Sequence, residues 1–327
     1  MSRKKKQLTD VHIHSVAFGT SALHHRSYNR VKSNIKIKMM LKTLAEYHGI
    51  LDKRDTIDTA YVEYLSKTLE QSKSVSRGVV FGLDGVYDEK GWLDRDRTIF
   101  LINNDYVCES LKPYPNLYYA ASINPARRDA LDELDRVYDQ GAVLVKVLPN
   151  TQHFNPVDAK YIPFYKKLEK LNLPLLGHTG YEFALPGSNQ KLGALSLYET
   201  ALEQGVNFIG AHACASGLAI FETQIETMAD YFARYPNFYI DLSALSLRTR
   251  FNVIQHLQNL TEFKSRMFFG TDFPLPVTTK SAGRQLGPVE KSRIDKIENY
   301  FDRYIAFLDK FGILPEKDPF DLFANTS

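Results

Sequence analysis

Two histidines alternate with apolar residues near the start of the chain, in the segment TDVHIHSVAFG at residues 9–19. His12 and His14 are two positions apart, so in a β-strand both side chains project from the same face. Imidazole nitrogens are common ligands of Zn²⁺ and related divalent ions. The pair alone is weak evidence, because a single histidine at a strand end is usually an ordinary hydrogen-bonded residue. It nevertheless raises the hypothesis of a metal-binding strand end.

Further candidate metal ligands follow later apolar runs of the chain. His178 follows LPLLG, His212 follows VNFIGA, and Asp272 follows MFFGT. Lys146 stands near the end of another run, VLVKVLP, and is about one βα unit from His178, as His178 is from His212. Three imidazoles and a carboxylate at matching strand ends are much harder to dismiss than any one of them. They predict a site for Zn²⁺ or a similar divalent ion.

The elements that must position these residues are short strands that alternate with amphipathic helices. Strands are predicted at residues 8–14, 78–83, 117–123, 142–148, 174–178, 207–212, 238–242 and 267–270. Helices are predicted between several of them, at residues 129–140, 161–171, 193–204 and 221–235. The pattern favours the α/β class and a (β/α)₈ TIM barrel, with an open doubly wound sheet as the alternative. In a barrel the strand carboxyl ends converge on one mouth, where the candidate residues would meet.

Composition limits the classes of protein to which the chain can belong. Hydrophobic residues make up 44% and charged residues 24%, with a net charge of +3, so we expect a globular protein with no general attraction to nucleic acid or membranes. The RKKK cluster is assigned to a basic tail at residues 1–7, and residues 8–327 to one barrel domain. No apolar run is long enough to span a membrane, and no apolar segment follows the N-terminal charges. With only Cys108 and Cys214, we expect a reduced, cytoplasmic protein.

The motifs DVHIHS, VLVKVLP, LPLLGHTG, FIGAHACASG, FYIDLSA and FFGTDFP together resemble the amidohydrolase superfamily. They are most similar to its amidohydrolase-related branch, whose metal-dependent hydrolases and decarboxylases resemble aminocarboxymuconate-semialdehyde decarboxylase. The motifs run in order from about Asp10 to Pro274, over most of the chain. The resemblance implies a barrel of the metal-dependent hydrolase type.

The resemblance also implies a role for each matching residue. His12, His14, His178 and Asp272 correspond to ligands of one divalent ion, most simply Zn²⁺, with Mn²⁺ or Fe²⁺ as alternatives. Asp272 would also contact the water on that ion. His212 corresponds to a histidine that acts as acid or base beside the ion, so His212 and Asp272 are the expected catalytic residues.

Several other residues have less defined roles. Lys146 corresponds either to a lysine that, when carboxylated, bridges two metals or to a lysine without that role. A third option is that its ammonium binds a substrate carboxylate. Arg248 and Arg250 follow the seventh strand, and His153 and Tyr181 follow the fourth and fifth. All four are candidate substrate-binding residues, with solvated loop residues as the alternative interpretation.

Some residues are expected to support the site rather than to act in it. Asp84 and Asp241 end apolar strands and are expected to accept hydrogen bonds from metal-bound histidines. His48 and His256 lie in helical stretches and are expected at the surface.

These features predict a metal-dependent hydrolase that cleaves an amide, ester or lactone of a small molecule with a metal-activated water. A nonoxidative, metal-dependent decarboxylase of a small unsaturated or aromatic carboxylate is the first alternative. A metal-holding, non-catalytic binding protein is the alternative from another class. The expected partner is a small-molecule substrate, with neither nucleic acid nor membrane, and a homodimer is left open. Motifs for phosphate loops, dinucleotide binding and serine hydrolases are absent.

Overall fold

The computed structural model describes residues 8–17, 28–29, 42–43, 46–49, 56–185 and 188–323. The basic tail predicted at residues 1–7 lies outside these ranges. None of the helices within them is long and apolar enough to cross a membrane.

Eight parallel strands, paired in chain order, form the sheet at the centre of the molecule. They are β1 (Leu8–His14), β2 (Val75–Phe81), β3 (Leu117–Ser122), β4 (Val145–Val147), β5 (Leu175–Gly177), β6 (Phe208–Gly210), β7 (Phe238–Asp241) and β8 (Met267–Phe268). The amide of Val11 donates to the Phe269 carbonyl at 3.0 Å, and the amide of Asp272 donates to the His12 carbonyl at 2.9 Å. These bonds bring the end of β8 alongside β1 and nearly close the barrel. The predicted (β/α)₈ barrel is confirmed.

Helices surround the strands. They are α1 (Ile57–Glu70), α2 (Asn104–Leu111), α3 (Ala130–Asp139), α4 (Pro149–Gln152), α5 (Ile162–Lys170), α6 (Glu199–Glu203), α7 (Ile225–Arg234), α8 (Ile254–Leu257), α9 (Pro288–Asp295) and α10 (Tyr300–Lys310). Short segments of 3₁₀ conformation lie at Ala159–Tyr161, Gln190–Gly193, Leu195–Tyr198, Ala211–Cys214, Phe251–Val253, Thr261–Arg266, Lys280–Gln285 and Pro319–Leu322, and the backbone departs from helical geometry within Ala211–Cys214 and Lys280–Gln285. A two-stranded antiparallel ribbon, Tyr28–Asn29 with Phe100–Leu101, lies outside the barrel.

Local chemistry explains where several of these elements begin and end. The side chain of Asn299 accepts hydrogen bonds from the amides of Phe301 and Asp302, which caps α10. Pro149 occupies the first turn of α4 and ends β4 at Val147, so this strand is shorter than the predicted run. The helix predicted at residues 193–204 is instead a 3₁₀ turn followed by α6. A side chain at position 193 would lie 2.0 Å from the Gly180 carbonyl oxygen, so Gly193 is held against a loop rather than in a helix.

Apolar side chains fill the barrel, and the C-terminal segment covers its amino-terminal end. The interior cluster contains Val11, Val79, Leu176, Ile209, Phe268 and, from the C-terminal segment, Phe323. Thr9 Oγ1 donates to Asp318 Oδ1 at 3.2 Å, and the Arg77 guanidinium lies 3.8 Å from the Phe320 ring centroid. Since Thr9 and Arg77 belong to the first residues of β1 and β2, residues 318–323 pack beneath the barrel, opposite the carboxyl ends of the strands.

We predict that Phe323→Ala lowers the free energy of unfolding by about 3 kcal/mol, because the substitution leaves a cavity among buried apolar side chains. Urea unfolding followed by circular dichroism measures this change. Phe221→Ala is the matched control, since that ring is 57% exposed, and it should change stability by less than about 0.5 kcal/mol. Equal effects of the two substitutions would show that residues 318–323 do not close the barrel.

Candidate metal centre

The predicted ligands from opposite ends of the chain meet at the carboxyl ends of the strands. One ligand atom from each of His12, His212 and Asp272 can be chosen so that all three lie within 4.8 Å of one another. Asp272 Oδ1 lies 3.4 Å from His12 Nε2, and Asp272 Oδ2 lies 3.7 Å from His212 Nδ1. All three side chains are buried. Nitrogen and carboxylate donors at this spacing can share one divalent ion.

The other two predicted ligands border the same cluster. His14 Nε2 lies 3.0 Å from Asp272 Oδ1, and the His12 and His14 rings are 5.3 Å apart, on the same side of β1. His178 Nδ1 lies 3.3 Å from His212 Nε2. His14 is the more accessible of the two, with a side chain that is 34% exposed. The structure therefore brings all five predicted metal and catalytic residues together.

The carboxylate of Asp241, at the end of β7, orients two of these histidines. Asp241 Oδ2 accepts from His12 Nδ1 at 2.7 Å, and Asp241 Oδ1 accepts from the His212 amide at 2.8 Å. Ser243 Oγ donates its only proton to Asp241 Oδ1 at 2.5 Å. The same Ser243 oxygen must therefore accept the hydrogen bond from His212 Nδ1, at 2.8 Å. As neutral imidazoles, His12 and His212 therefore both carry their lone pair on Nε2. This atom lies 3.4 Å from Asp272 Oδ1 in His12 and 3.3 Å from His178 Nδ1 in His212.

A second buried carboxylate holds the loop that carries Asp272. Asp10 Oδ1 accepts from the amides of His12 and Thr271 at 2.9 and 3.1 Å, and Asp10 Oδ2 accepts from Thr271 Oγ1 at 2.5 Å. Burial raises the pKa of Asp10 to about 8, against the lowering effect of these hydrogen bonds. The three contacts tie the end of β1 to the segment after β8.

The backbone is strained where it presents two of the cluster residues. His212 and Asp272 have positive φ angles of 58° and 64°, in the left-handed region that side chains disfavour. Ala213 and Cys214 continue the same conformation after His212, with φ of 52° and 53°. Strain of this kind persists only where surrounding contacts over-determine it, and it is common at functional sites.

Burial sets the charge of the cluster. Desolvation, with a further effect from Lys146, lowers the pKa of His12 to about 4, and desolvation also holds the pKa of His178 and of His212 well below the usual value. Burial alone would raise the pKa of Asp272, but its interactions with His12 and His14 hold that pKa well below its usual range. At neutral pH the cluster thus combines neutral imidazoles with an ionised carboxylate, the protonation state that metal binding requires.

Lys146 is buried beneath the cluster. Its Nζ lies 3.4 Å from His12 Nε2 and 5.3 Å from the centroid of the Phe81 ring. Burial lowers the pKa of Lys146 to about 8. Lys146 is not among the residues that line the cavity described next, and its nearest candidate metal ligand is His12.

A cavity of about 280 Å³ opens over the cluster. The polar side chains that line it include His14, His178, His212, Asp272, Glu182 and Arg250. Tyr181 also lines it, and its ring stacks on that of Phe183 with centroids 5.9 Å apart. Of the candidate substrate-binding residues, the structure therefore brings Arg250 and Tyr181 to the cavity.

The other two candidates lie away from it. Arg248 is exposed, while Arg250, two residues later, is buried and turned inward. His153 ends α4 with a φ of 56°, which turns the chain away after β4. Neither residue lines the cavity.

The sequence profile of the amidohydrolase family matches residues 9–289. The chain belongs to the amidohydrolase family. No curated protein sequence matches this amidohydrolase significantly.

Solved structures share its fold at low sequence identity. An uncharacterised TIM-barrel protein from Bordetella bronchiseptica is 15% identical, with 94% of this chain and 100% of that chain covered and a TM-score of 0.58. A protein assigned as a 2-pyrone-4,6-dicarboxylic acid hydrolase from Pseudomonas putida is 13% identical, with 98% and 95% covered and a TM-score of 0.58. A 5-carboxyvanillate decarboxylase from Sphingomonas paucimobilis is 13% identical, with 94% and 98% covered and a TM-score of 0.52. These likenesses show the fold, which hydrolases and decarboxylases share.

The donor set of this amidohydrolase fits a divalent metal ion. His178 Nε2 is buried and has no hydrogen-bond partner among the described residues, and it lies 3.7 Å from Glu182 Oε2. The lone pair on His12 Nε2 faces Asp272 Oδ1 at 3.4 Å, and His212 Nε2 faces His178 Nδ1 at 3.3 Å. An unpaired buried nitrogen and several converging lone pairs are costly without a cation, so the cluster is suited to hold one.

The supporting residues were only partly predictable. Asp241 accepts a hydrogen bond from His12, as expected. The same motif, FYIDLSA, contains Ser243, and the sequence did not indicate that the Ser243 hydroxyl would link Asp241 to His212. Asp84 instead binds the amide of Asn124 and other groups away from the cluster. His48, expected at the surface, is buried, and its Nε2 donates to the Pro274 carbonyl at 2.7 Å.

We predict that Asp241→Asn weakens metal affinity by about 10- to 100-fold, because the histidine orientations lose their shared acceptor. Competition against a fluorescent chelator measures the affinity. Asp230→Asn, on the exposed face of α7, is the matched control and should leave the affinity unchanged. Unchanged affinity in Asp241→Asn, with a native circular dichroism spectrum, would contradict this role.

The lowered pKa values of His12, His178 and His212 predict that metal affinity falls only slightly between neutral and mildly acidic pH. A proton competes for a nitrogen lone pair only below the pKa of that nitrogen, so a lowered pKa moves the competition to more acidic pH. Three histidines with ordinary pKa values near 6.5 would lose about fiftyfold in affinity between pH 7.5 and 6. We expect less than about fivefold, measured by isothermal titration calorimetry. A steep loss above pH 6 would show that the histidines titrate in the ordinary range.

Proposed function

We propose that this amidohydrolase is a metal-dependent hydrolase that cleaves an amide, ester or lactone bond of a small molecule. The observation that carries the proposal is the convergence of His12, His212 and Asp272 beneath a largely apolar cavity that His212 and Asp272 line. A substrate in that cavity would meet the metal ligands and the proposed acid–base histidine together.

Four residues would hold the metal: His12, His14, His178 and Asp272. Three imidazoles and a carboxylate suit one Zn²⁺ ion, with Mn²⁺ and Fe²⁺ as alternatives. Such an ion, when bound, polarises a carbonyl group and lowers the pKa of water. The unmodified ammonium of Lys146, 3.4 Å from His12 Nε2, has no lone pair with which to bridge two ions, which favours a single metal.

His212 is proposed to carry the proton. Its Nδ1 donates to Ser243 Oγ, so Nε2 holds the lone pair and can accept a proton, then return it to a leaving group. The ionised Asp272 lies 3.7 Å from the same ring and stabilises the imidazolium that forms. A buried, pre-oriented pair of this kind supplies acid–base catalysis without reorganisation.

Decarboxylation of a small carboxylate is the second candidate. The observation that favours it is the buried Arg250, which lines the same cavity and can hold a carboxylate. His212 would first accept a proton from water at Nε2 and then donate it to the carbon whose bond to the carboxylate breaks as CO₂ leaves.

The deciding experiment is a parallel screen of esters, lactones, amides and small aromatic carboxylates, with mass-spectrometric detection of products. We expect hydrolysis products from the wild type, abolished by a chelator and restored by Zn²⁺ or Mn²⁺. His212→Asn should lower kcat by about 100-fold or more, whereas His256→Asn, in the helical segment at α8, should leave it unchanged.

Two results would contradict the proposed hydrolysis. Release of CO₂ without any acyl cleavage would establish the decarboxylase instead. Full metal occupancy with no turnover of either group of substrates would favour a non-catalytic binding protein.

A further inference from the structure

The two ring nitrogens of His178 face different surroundings. Its Nδ1 lies 3.3 Å from His212 Nε2, on the side of the metal centre, whereas its Nε2 lies 3.7 Å from Glu182 Oε2. The side chain is buried, and Nε2 has no hydrogen-bond partner among the described residues. A neutral imidazole carries one proton, so one nitrogen is a donor and the other an acceptor. The position of that proton therefore decides which nitrogen of His178 can bind a metal ion.

Metal binding requires one particular tautomer of His178. His212 Nε2 carries a lone pair, because its Nδ1 donates to Ser243 Oγ at 2.8 Å. With the proton on Nδ1, His178 donates to this lone pair and directs its own Nε2 lone pair at the Glu182 carboxylate. With the proton on Nε2, the Nδ1 lone pair is available to a metal ion, and the Nε2–H can donate to Glu182. Only the second tautomer offers a ligand atom to the metal centre.

Glu182 is held where it can accept that hydrogen bond. Its Oε1 accepts from the amides of Ala184 and Leu185 at 2.5 and 3.1 Å. Its backbone is fixed by Gln190, whose side chain accepts from the Glu182 amide at 2.8 Å and donates to the Glu182 carbonyl at 2.6 Å. These bonds commit Oε1 and leave Oε2 for His178. At 3.7 Å this contact is longer than a hydrogen bond, so the two atoms must approach each other by about 0.8 Å to form one.

We propose that Glu182 is a positioning residue of the metal centre: it accepts a hydrogen bond from His178 Nε2 and so selects the tautomer that offers Nδ1 to the metal ion. A carboxylate on the outer nitrogen of a metal-bound histidine fixes the ring and raises its basicity. The inference rests on the proposed function, because it takes His178 as a metal ligand. It gives His178 the kind of acceptor that Asp241 provides for His12.

NMR spectroscopy of the full-length chain with isotope-labelled histidine measures the tautomer directly. Couplings from the carbon-bound ring protons distinguish a protonated nitrogen from one that carries a lone pair or a metal ion. The His178 signals are identified as those that vanish in His178→Asn. We expect the proton on Nε2 of His178 in the Zn²⁺-loaded wild type.

Glu182→Gln tests the carboxylate itself. Its amide oxygen can keep the contacts to Ala184 and Leu185, which places the NH₂ group opposite His178 Nε2. That donor stabilises the tautomer with the proton on Nδ1, so we expect this tautomer in the metal-free variant and a Zn²⁺ affinity lowered by about 10- to 100-fold. Competition against a fluorescent chelator measures the affinity. Glu203→Gln, at the exposed end of α6, is the matched control and should keep the wild-type tautomer and affinity.

Glu182→Asp separates the charge from the reach of the side chain. It retains the carboxylate on a chain that is one methylene shorter, so its affinity for Zn²⁺ should lie between those of the wild type and of Glu182→Gln. If Glu182→Gln fails to fold, as judged by circular dichroism, the tautomer of the Zn²⁺-loaded wild type and the affinity of Glu182→Asp decide.

Three results would overturn the proposal: a proton on Nδ1 of His178 in the Zn²⁺-loaded wild type, a folded Glu182→Gln chain with wild-type affinity, or a wild-type chain that binds no Zn²⁺. These measurements require no turnover, so their outcome is separate from that of the substrate screen. The expected tautomer and affinities without hydrolysis would reject only the proposed reaction. Hydrolysis by the wild type, with unchanged Zn²⁺ affinity in Glu182→Gln, would reject only this role of Glu182.

Discussion

The carboxylate of Asp241 is the contact on which the rest of the site depends. This carboxylate is fully buried at the end of β7 and accepts hydrogen bonds from the His12 ring and from the backbone amide of His212. It also accepts a hydrogen bond from Ser243, whose hydroxyl contacts the His212 ring. These bonds decide which ring nitrogen of each histidine keeps its lone pair. Burial would raise the pKa of Asp241, but its interactions with His12 and Ser243 lower it, so the carboxylate stays ionised and remains an acceptor. A neutral group at this position would leave both imidazoles free to rotate or to change tautomer.

The barrel brings these residues together and stabilises the unfavourable backbone conformations that present them. Residues from β1, β5, β6, β7 and β8 reach one point only because the parallel strands end at a common mouth. The left-handed conformations at His212 and Asp272 are unfavourable in isolation. They are held by contacts such as the Asp272 amide to the His12 carbonyl and the Asp10 carboxylate to Thr271. The packing and hydrogen bonds of the barrel thus hold His212 and Asp272 in these strained backbone conformations.

Much of the fold and of the cluster could be predicted from the sequence, because both follow from regular periodicity. Strand alternation places His12 and His14 on one face, and the alternation of strands and helices places His178, His212 and Asp272 after the ends of β5, β6 and β8. The assignment of Asp241 as a supporting carboxylate followed from its position after an apolar strand.

The remainder depends on loop conformation, which periodicity does not encode. Arg248 and Arg250 are indistinguishable in the sequence, yet one is exposed and the other lines the cavity. His48 and Asp84 likewise took positions set by tertiary packing, against Pro274 and Asn124 respectively. The relay through Ser243 requires atomic positions, since a serine two residues after an aspartate is common without any such role.

The most direct test of the account is an anomalous difference map from crystals loaded with Zn²⁺ and measured at the zinc absorption edge. The account predicts one peak per chain, about 2.0–2.2 Å from nitrogen atoms of His12, His14 and His178 and from an oxygen of Asp272, with His212 outside bonding distance. A peak coordinated by His212 would contradict its role in proton transfer. No peak at the cluster, or a second peak bridged by Lys146, would contradict the single-metal site itself.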